Sequence, residues 1–133
     1  RQDGGSWQRQ AALRPTLEAA QGTHFGQTVA LAPDASLALV GGTGQPGEGG
    51  ALWVYALADG AAEPIGELRP EKKDDWFGED VVFSADGSWL AVGAERAVQI
   101  YRREGNTFTP FKRLTAPPDP SIGHFGERLA FIL

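Results

Sequence analysis

The sequence predicts an all-β fold: a β-propeller fragment of about two and a half four-stranded antiparallel blades. Three observations lead there. The headings His24-Phe25-Gly26, Trp76-Phe77-Gly78 and His124-Phe125-Gly126 recur at a period of about 50 residues. Each heading is followed by short apolar runs without helical spacing. Eighteen glycines and nine prolines in 133 residues punctuate the chain too often for long helices.

Each heading opens a first strand: Gln27-Thr28-Val29-Ala30-Leu31, Glu79-Asp80-Val81-Val82-Phe83 and Glu127-Arg128-Leu129-Ala130-Phe131. A turn comes next. Asp86-Gly87 between two β-rich runs is a strong hairpin signal, and Asp34-Ala35 is the same turn in a weaker sequence. The second strand carries Leu37 and Leu39 and ends at Gly42, and its counterpart runs from Trp89 to Gly93. Ala51-Leu52-Trp53-Val54-Tyr55 and Ala97-Val98-Gln99-Ile100-Tyr101 form the third. A fourth strand covers 63–69, and Trp7 with Leu13 matches Phe108 with Leu114 at that place in the unit. Near-continuous apolar runs fit strands packed on both faces.

The organisation that follows has residues 1–23 as the last strand of a preceding blade with its linker. Residues 24–75 and 76–123 are blades, and 124–133 is the first strand of a following blade. Propellers close with about four to eight blades. The remaining blades are therefore expected in a longer polypeptide, the alternative being several copies that close a ring.

Phe-Gly at 25–26, 77–78 and 125–126, Val40-Gly41-Gly42 and Val92-Gly93-Ala94, and the segments Trp53-Val54-Tyr55 and Gln99-Ile100-Tyr101 resemble the FG-GAP repeats of integrin α-subunit heads and bacterial surface proteins. Asp86-Gly87-Ser88-Trp89-Leu90-Ala91 is also similar to the second-strand entry of WD40-like propellers. The FG-GAP resemblance implies a surface or extracellular protein. It does not carry the family's calcium sites, because Ala32-Pro33-Asp34-Ala35 and Ser84-Ala85-Asp86-Gly87 each supply one carboxylate where calcium needs about six to eight oxygens.

The composition excludes some chemistry. A net charge of −5 offers no basic face to nucleic acid. With no cysteine there are no disulfides and no thiolate metal site. No apolar run reaches membrane-spanning length. Gly42-Thr43-Gly44-Gln45-Pro46-Gly47 fits the spacing of a dinucleotide fingerprint, but that site needs a helix at its glycines. Here Glu48-Gly49-Gly50 leads into a strand, and the second repeat has only Glu95-Arg96 in its place, so the stretch reads as an extended hairpin loop. No cofactor and no metal are expected.

Antiparallel alternation places the connection into each heading and the loop between the second and third strands at one end of a blade. His24, Trp76 and His124 therefore share a rim with Thr43, Gln45 and Glu48, and these six residues are the candidate binding set. A histidine could act as a ligand or general base, but tryptophan in the same slot favours packing. Asp74, Asp75, Glu79 and Asp80 flank Trp76-Phe77-Gly78, a pattern that could hold or hydrolyse a sugar, against the plainer reading of solvated loop charges. No serine stands in a nucleophile elbow. The expectation is a non-catalytic binding or scaffold module for a protein or glycan partner, or for the remaining blades. The alternatives are a portion of a carbohydrate-active propeller enzyme and a propeller lectin.

Overall fold

The computed structural model describes residues 2–15, 23–44, 49–70, 76–123 and 125–132. It is all-β, and no helix forms among the described residues. The strands are β1 (Gln2–Asp3), β2 (Ser6–Trp7), β3 (Thr28–Leu31), β4 (Leu37–Gly42), β5 (Ala51–Ala58), β6 (Ala61–Leu68), β7 (Val81–Phe83), β8 (Trp89–Ala94), β9 (Ala97–Glu104) and β10 (Thr107–Thr115). They make two four-stranded antiparallel sheets, ordered β3-β4-β5-β6 and β7-β8-β9-β10, plus the small ladder β1-β2. Each sheet is a meander, so each strand pairs with its neighbours in sequence.

The turn chemistry explains the hairpins. Ala35 N–H donates to the Ala32 carbonyl and Gly87 N–H to that of Ser84, closing the same turn in both units. Gly87 takes φ +72° there, and Ala35 is forced into the same left-handed region at +57°. The weaker sequence thus forms the same turn under strain.

The pleat sorts the apolar residues onto two faces. Leu37 and Leu39 of β4 with Leu52 and Val54 of β5 face the second sheet. There they meet Phe77, Val81, Phe83, Leu90, Val92 and Tyr101 in one buried core. The other face of β4 and β5 carries Ala38, Val40, Ala51, Trp53 and Tyr55. It is covered by Phe25 and by Leu13 from the irregular segment 8–15, which is fixed where the Tyr55 hydroxyl donates to the Arg14 carbonyl at 2.6 Å. Within 1–23, the described strands are β1 and β2, which pair with each other. Residues 125–132 adopt no strand; they are held where Leu129 N–H donates to the Asp80 carboxylate at 2.7 Å.

The recurring glycines set the spacing between units. Gly26 N–H donates to the Gly41 carbonyl, and a methyl group on Gly41 would strike the Gly78 carbonyl. One unit on, Gly78 N–H donates to the Gly93 carbonyl, and a methyl group on Gly93 would strike the carbonyl of Gly126. The second and third Phe-Gly headings therefore seat their backbone on the second strand of the preceding unit.

Candidate functional site

The two ends of the sheets differ in chemistry. At the turn end, the Ser36 hydroxyl and N–H donate to Asp34 at 2.6 and 3.0 Å. These bonds, led by the hydroxyl and assisted by Arg103, hold the Asp34 carboxyl down to about 2. Hydroxyls of Ser84 and Ser88 and the Ser88 N–H do the same for Asp86, also down to about 2, the Ser84 hydroxyl contributing most. These carboxylates are occupied in fixing turns.

The heading end carries the candidate site. His24 and Trp76 occupy equivalent positions and both adopt left-handed backbone, with φ +51° and +66°. Each accepts a turn-closing hydrogen bond through its carbonyl, from Gln27 and Glu79 respectively. Left-handed conformation is unfavourable for a residue with a Cβ, and it turns both side chains onto the rim.

In the first unit the structure brings His24 to Thr43. Thr43 is buried, its hydroxyl donates to Gln27 Oε1 at 2.8 Å, and His24 Nδ1 lies 3.4 Å from the same oxygen. Gln45, Glu48 and His124 lie outside the described residues.

Between the second and third headings the rim opens into a crevice of about 240 Å³ lined by Trp76, Glu79, Ala94, Glu95, Arg96, Gly123, Phe125 and Glu127. Trp76 is 41% exposed. Arg96 commits three of its five guanidinium N–H groups to backbone carbonyls. Nη1 donates to the Ile122 carbonyl at 2.7 Å, and Nη2 to those of Pro117 and Asp119 at 2.9 and 3.2 Å. The guanidinium thereby fixes the loop whose far end, Gly123, forms one wall. Among the described residues, no three His, Asp or Glu side chains are grouped so as to hold a metal ion. No helix among them is long and apolar enough to cross a membrane.

Of the candidate set, Trp76 lines this crevice, while His24 and Thr43 form a separate polar contact one unit away. Glu95, Arg96, Phe125 and Glu127 were not singled out as binding residues by their sequence. Repeat register was the signal that could have found them: Glu79 and Glu127 follow their headings as Gln27 does, and Glu95 stands where Thr43 does.

No protein-family model matches the chain, and no curated protein matches it by sequence. Among solved structures it is similar to a provisionally named 6-phosphogluconolactonase from Bacteroides fragilis NCTC 9343, at 15% identity and a TM-score of 0.53 over 66% of this chain. It is also similar to a protein of unknown function from Desulfotomaculum acetoxidans DSM 771, at 18% identity and a TM-score of 0.53 over 72% of this chain. The matched region spans 25% and 30% of those two chains. This likeness concerns the fold. It corrects the expectation of a non-catalytic chain, because the same sheet arrangement occurs in a protein named as an enzyme. The error had a physical source: strand repeats and turns specify architecture, and architecture does not separate binding modules from enzymes.

Proposed function

We propose that the chain is a segment of a β-propeller whose rim binds a carbohydrate in the crevice between the second and third headings. The propeller reading is supported by the repeated seating of Gly78 on Gly41 and of Gly126 on Gly93, one packing relation applied twice in succession. The carbohydrate reading is carried by one observation: a partly exposed indole, Trp76, on the rim of a crevice edged by Glu79, Glu95 and Glu127. An aromatic face packs against the C–H surface of a sugar ring, and carboxylates accept hydrogen bonds from its hydroxyls. The likeness to a protein named for a sugar-derived lactone is in keeping with this reading.

The test is a glycan array probed with the protein and with its Trp76→Ala variant. Binding that disappears in the variant supports the reading. A protein that retains its fold and gives no signal on the array, with or without Trp76, removes it.

A further inference from the structure

We infer that the rear face of the first sheet is a docking surface for the first three strands of a further unit of this repeat, whose last hairpin is the segment 2–15. Those strands run into that hairpin, so they belong to the same polypeptide. The inference rests on the propeller reading above and not on the sugar crevice.

The segment repeats the β5–β6 hairpin position for position. Gln2 and Asp3 pair with Trp7 and Ser6 as Leu57 and Ala58 pair with Ala62 and Ala61. Gly4 and Gly5, at φ +55° and +86°, make the turn that Asp59 and Gly60 make at +50° and +77°. The same spacing brings Leu13-Arg14-Pro15 onto the identical Leu68-Arg69-Pro70. Leu13 packs on the rear face of the first sheet, and Leu68 on the core between the two sheets. The hairpin therefore holds the same place in two successive interfaces.

It leaves the inner part of the rear face uncovered. Val29 and Leu31 share that face with Val40 and Ala38, their partners in β4. Their counterparts Val81 and Phe83, paired with Val92 and Leu90, are buried in the core shared with the first sheet, at 6% and 9% exposure. Val29 and Leu31 are each 62% exposed. They border a groove of about 650 Å³ whose other wall includes Gln8, Ala11 and Leu13.

The backbone repeats the contrast. Gly26, Gly78 and Gly126 share one conformation, with φ +91°, +89° and +90°. A Cβ on Gly78 would meet the Ala51 carbonyl and one on Gly126 that of Ala97, each at the start of the third strand of the preceding unit. One on Gly26 would meet no described residue within 4 Å. The first heading thus has the shape of a seated heading without the seat. What covers such a face one unit on is the front of a unit, with Leu37, Leu39, Leu52 and Val54. The matching occupant is another such front, with a small residue where Gly41 stands.

The experiment extends the full chain by the repeat's own strands. Residues 24–56 are fused ahead of Gln2, so that Gln2 follows Ala56 as Leu57 does. The chain has no cysteine. A single Val29→Cys in the original unit therefore reports cover of the rear face through its rate of reaction with a thiol reagent, and Val81→Cys reports the existing interface. Val29→Cys should react at least about tenfold more slowly in the extended chain than in the parent, while Val81→Cys is slow in both. Gly41→Ala in the added strands, whose Cβ would strike the Gly26 carbonyl, should restore most of the lost reactivity. Unchanged Val29→Cys reactivity in a folded extended chain, with Val81→Cys protected, would overturn the inference and leave the propeller reading standing. So would a protected Val29→Cys in the parent chain at a doubled native mass, which assigns the face to a second copy. Val81→Cys as reactive as Val29→Cys in the folded parent would overturn the propeller reading and this inference together. Where the fusion does not fold, residues 24–75 are instead repeated in tandem after residue 75. Val29→Cys should then be protected in the inner copy and reactive in the outer one, and equal reactivity in both would overturn the inference.

Discussion

Arg103 Nη2 lies 3.0 Å from the Asp34 carboxylate, joining the end of β9 in the second sheet to the β3–β4 turn of the first. The pair is lopsided: the Arg103 side chain is 8% exposed and that of Asp34 57%. Arg103 also donates to Ser36 Oγ at 2.8 Å and to the Gly105 carbonyl at 2.8 Å, and it lies 5.7 Å from the Phe83 ring centroid. Most of its value is therefore packing and directed hydrogen bonds, with screened charge attraction as a smaller part. Arg103→Ala should destabilise the chain by about 2 kcal/mol. Arg103→Lys should recover only part, because the lysine cannot reproduce the fork. Urea midpoints of the variants check both.

The aspartates of the turn end make stability sensitive to acid. Asp34 and Asp86 are held at about 2, below the ordinary 3.8, and Asp119 is also lowered, chiefly by the Ser121 N–H and hydroxyl. A carboxyl whose folded value is depressed stabilises the fold above its unfolded value. That contribution is lost as pH falls through the folded value. The urea midpoint should thus decline from about pH 4 toward pH 2. Asp86→Asn, which keeps an acceptor at Oδ1, should flatten the decline.

The recurring glycines should be intolerant for lack of space. A Cβ on Gly93 would meet the Gly126 carbonyl, which is backbone and cannot swing aside. Gly93→Ala is expected to lose about 3 kcal/mol by prising the third heading off β8. Gly66 in β6 has nothing within 4 Å of an added Cβ. Gly66→Ala should change stability by no more than about 0.5 kcal/mol. Equal losses at both positions would refute the close-approach account.

Ala35 offers a stabilising change. It is exposed, takes φ +57° and stands where the second unit has Gly87. Ala35→Gly removes the left-handed strain and gives up no buried surface, and the larger entropy of unfolded glycine offsets part of the gain. The net expectation is about 0.5 to 1 kcal/mol of added stability, read as a raised urea midpoint.

Strand order and turn position were legible because they depend on local pattern. The runs 36–42 and 51–58 contain β4 and β5, and Asp34-Ala35 and Asp86-Gly87 mark the two turns. The reason for the Phe-Gly and Val-Gly dipeptides was not legible: Gly41 and Gly93 are small because the backbone of another unit, some 30 to 40 residues on, lies against them. Arg103 was hidden in the same way, since its partners at Asp34 and Ser36 are remote in sequence. The candidate site was half visible. The repeat pointed to Trp76, but the commitment of Arg96 to three carbonyls depends on a loop path that no motif encodes.

Trp76 and Phe77 are adjacent and should fail in opposite ways. Phe77 is fully buried between the sheets, with 0% exposure, whereas Trp76 sits 41% exposed on the rim. Phe77→Ala opens a cavity where both sheets meet and is expected to cost about 3 to 5 kcal/mol. Ligand binding by that variant, corrected for the unfolded fraction, should persist. Trp76→Ala also removes a side chain from left-handed backbone, at φ +66°, without relieving it, since alanine keeps its Cβ. Its stability loss should stay below that of Phe77→Ala while sugar binding is abolished. Paired urea melts and glycan titrations separate the two. If Trp76→Ala bound sugar as well as the parent while unfolding like Phe77→Ala, the indole would be a packing residue and the crevice would lose its platform.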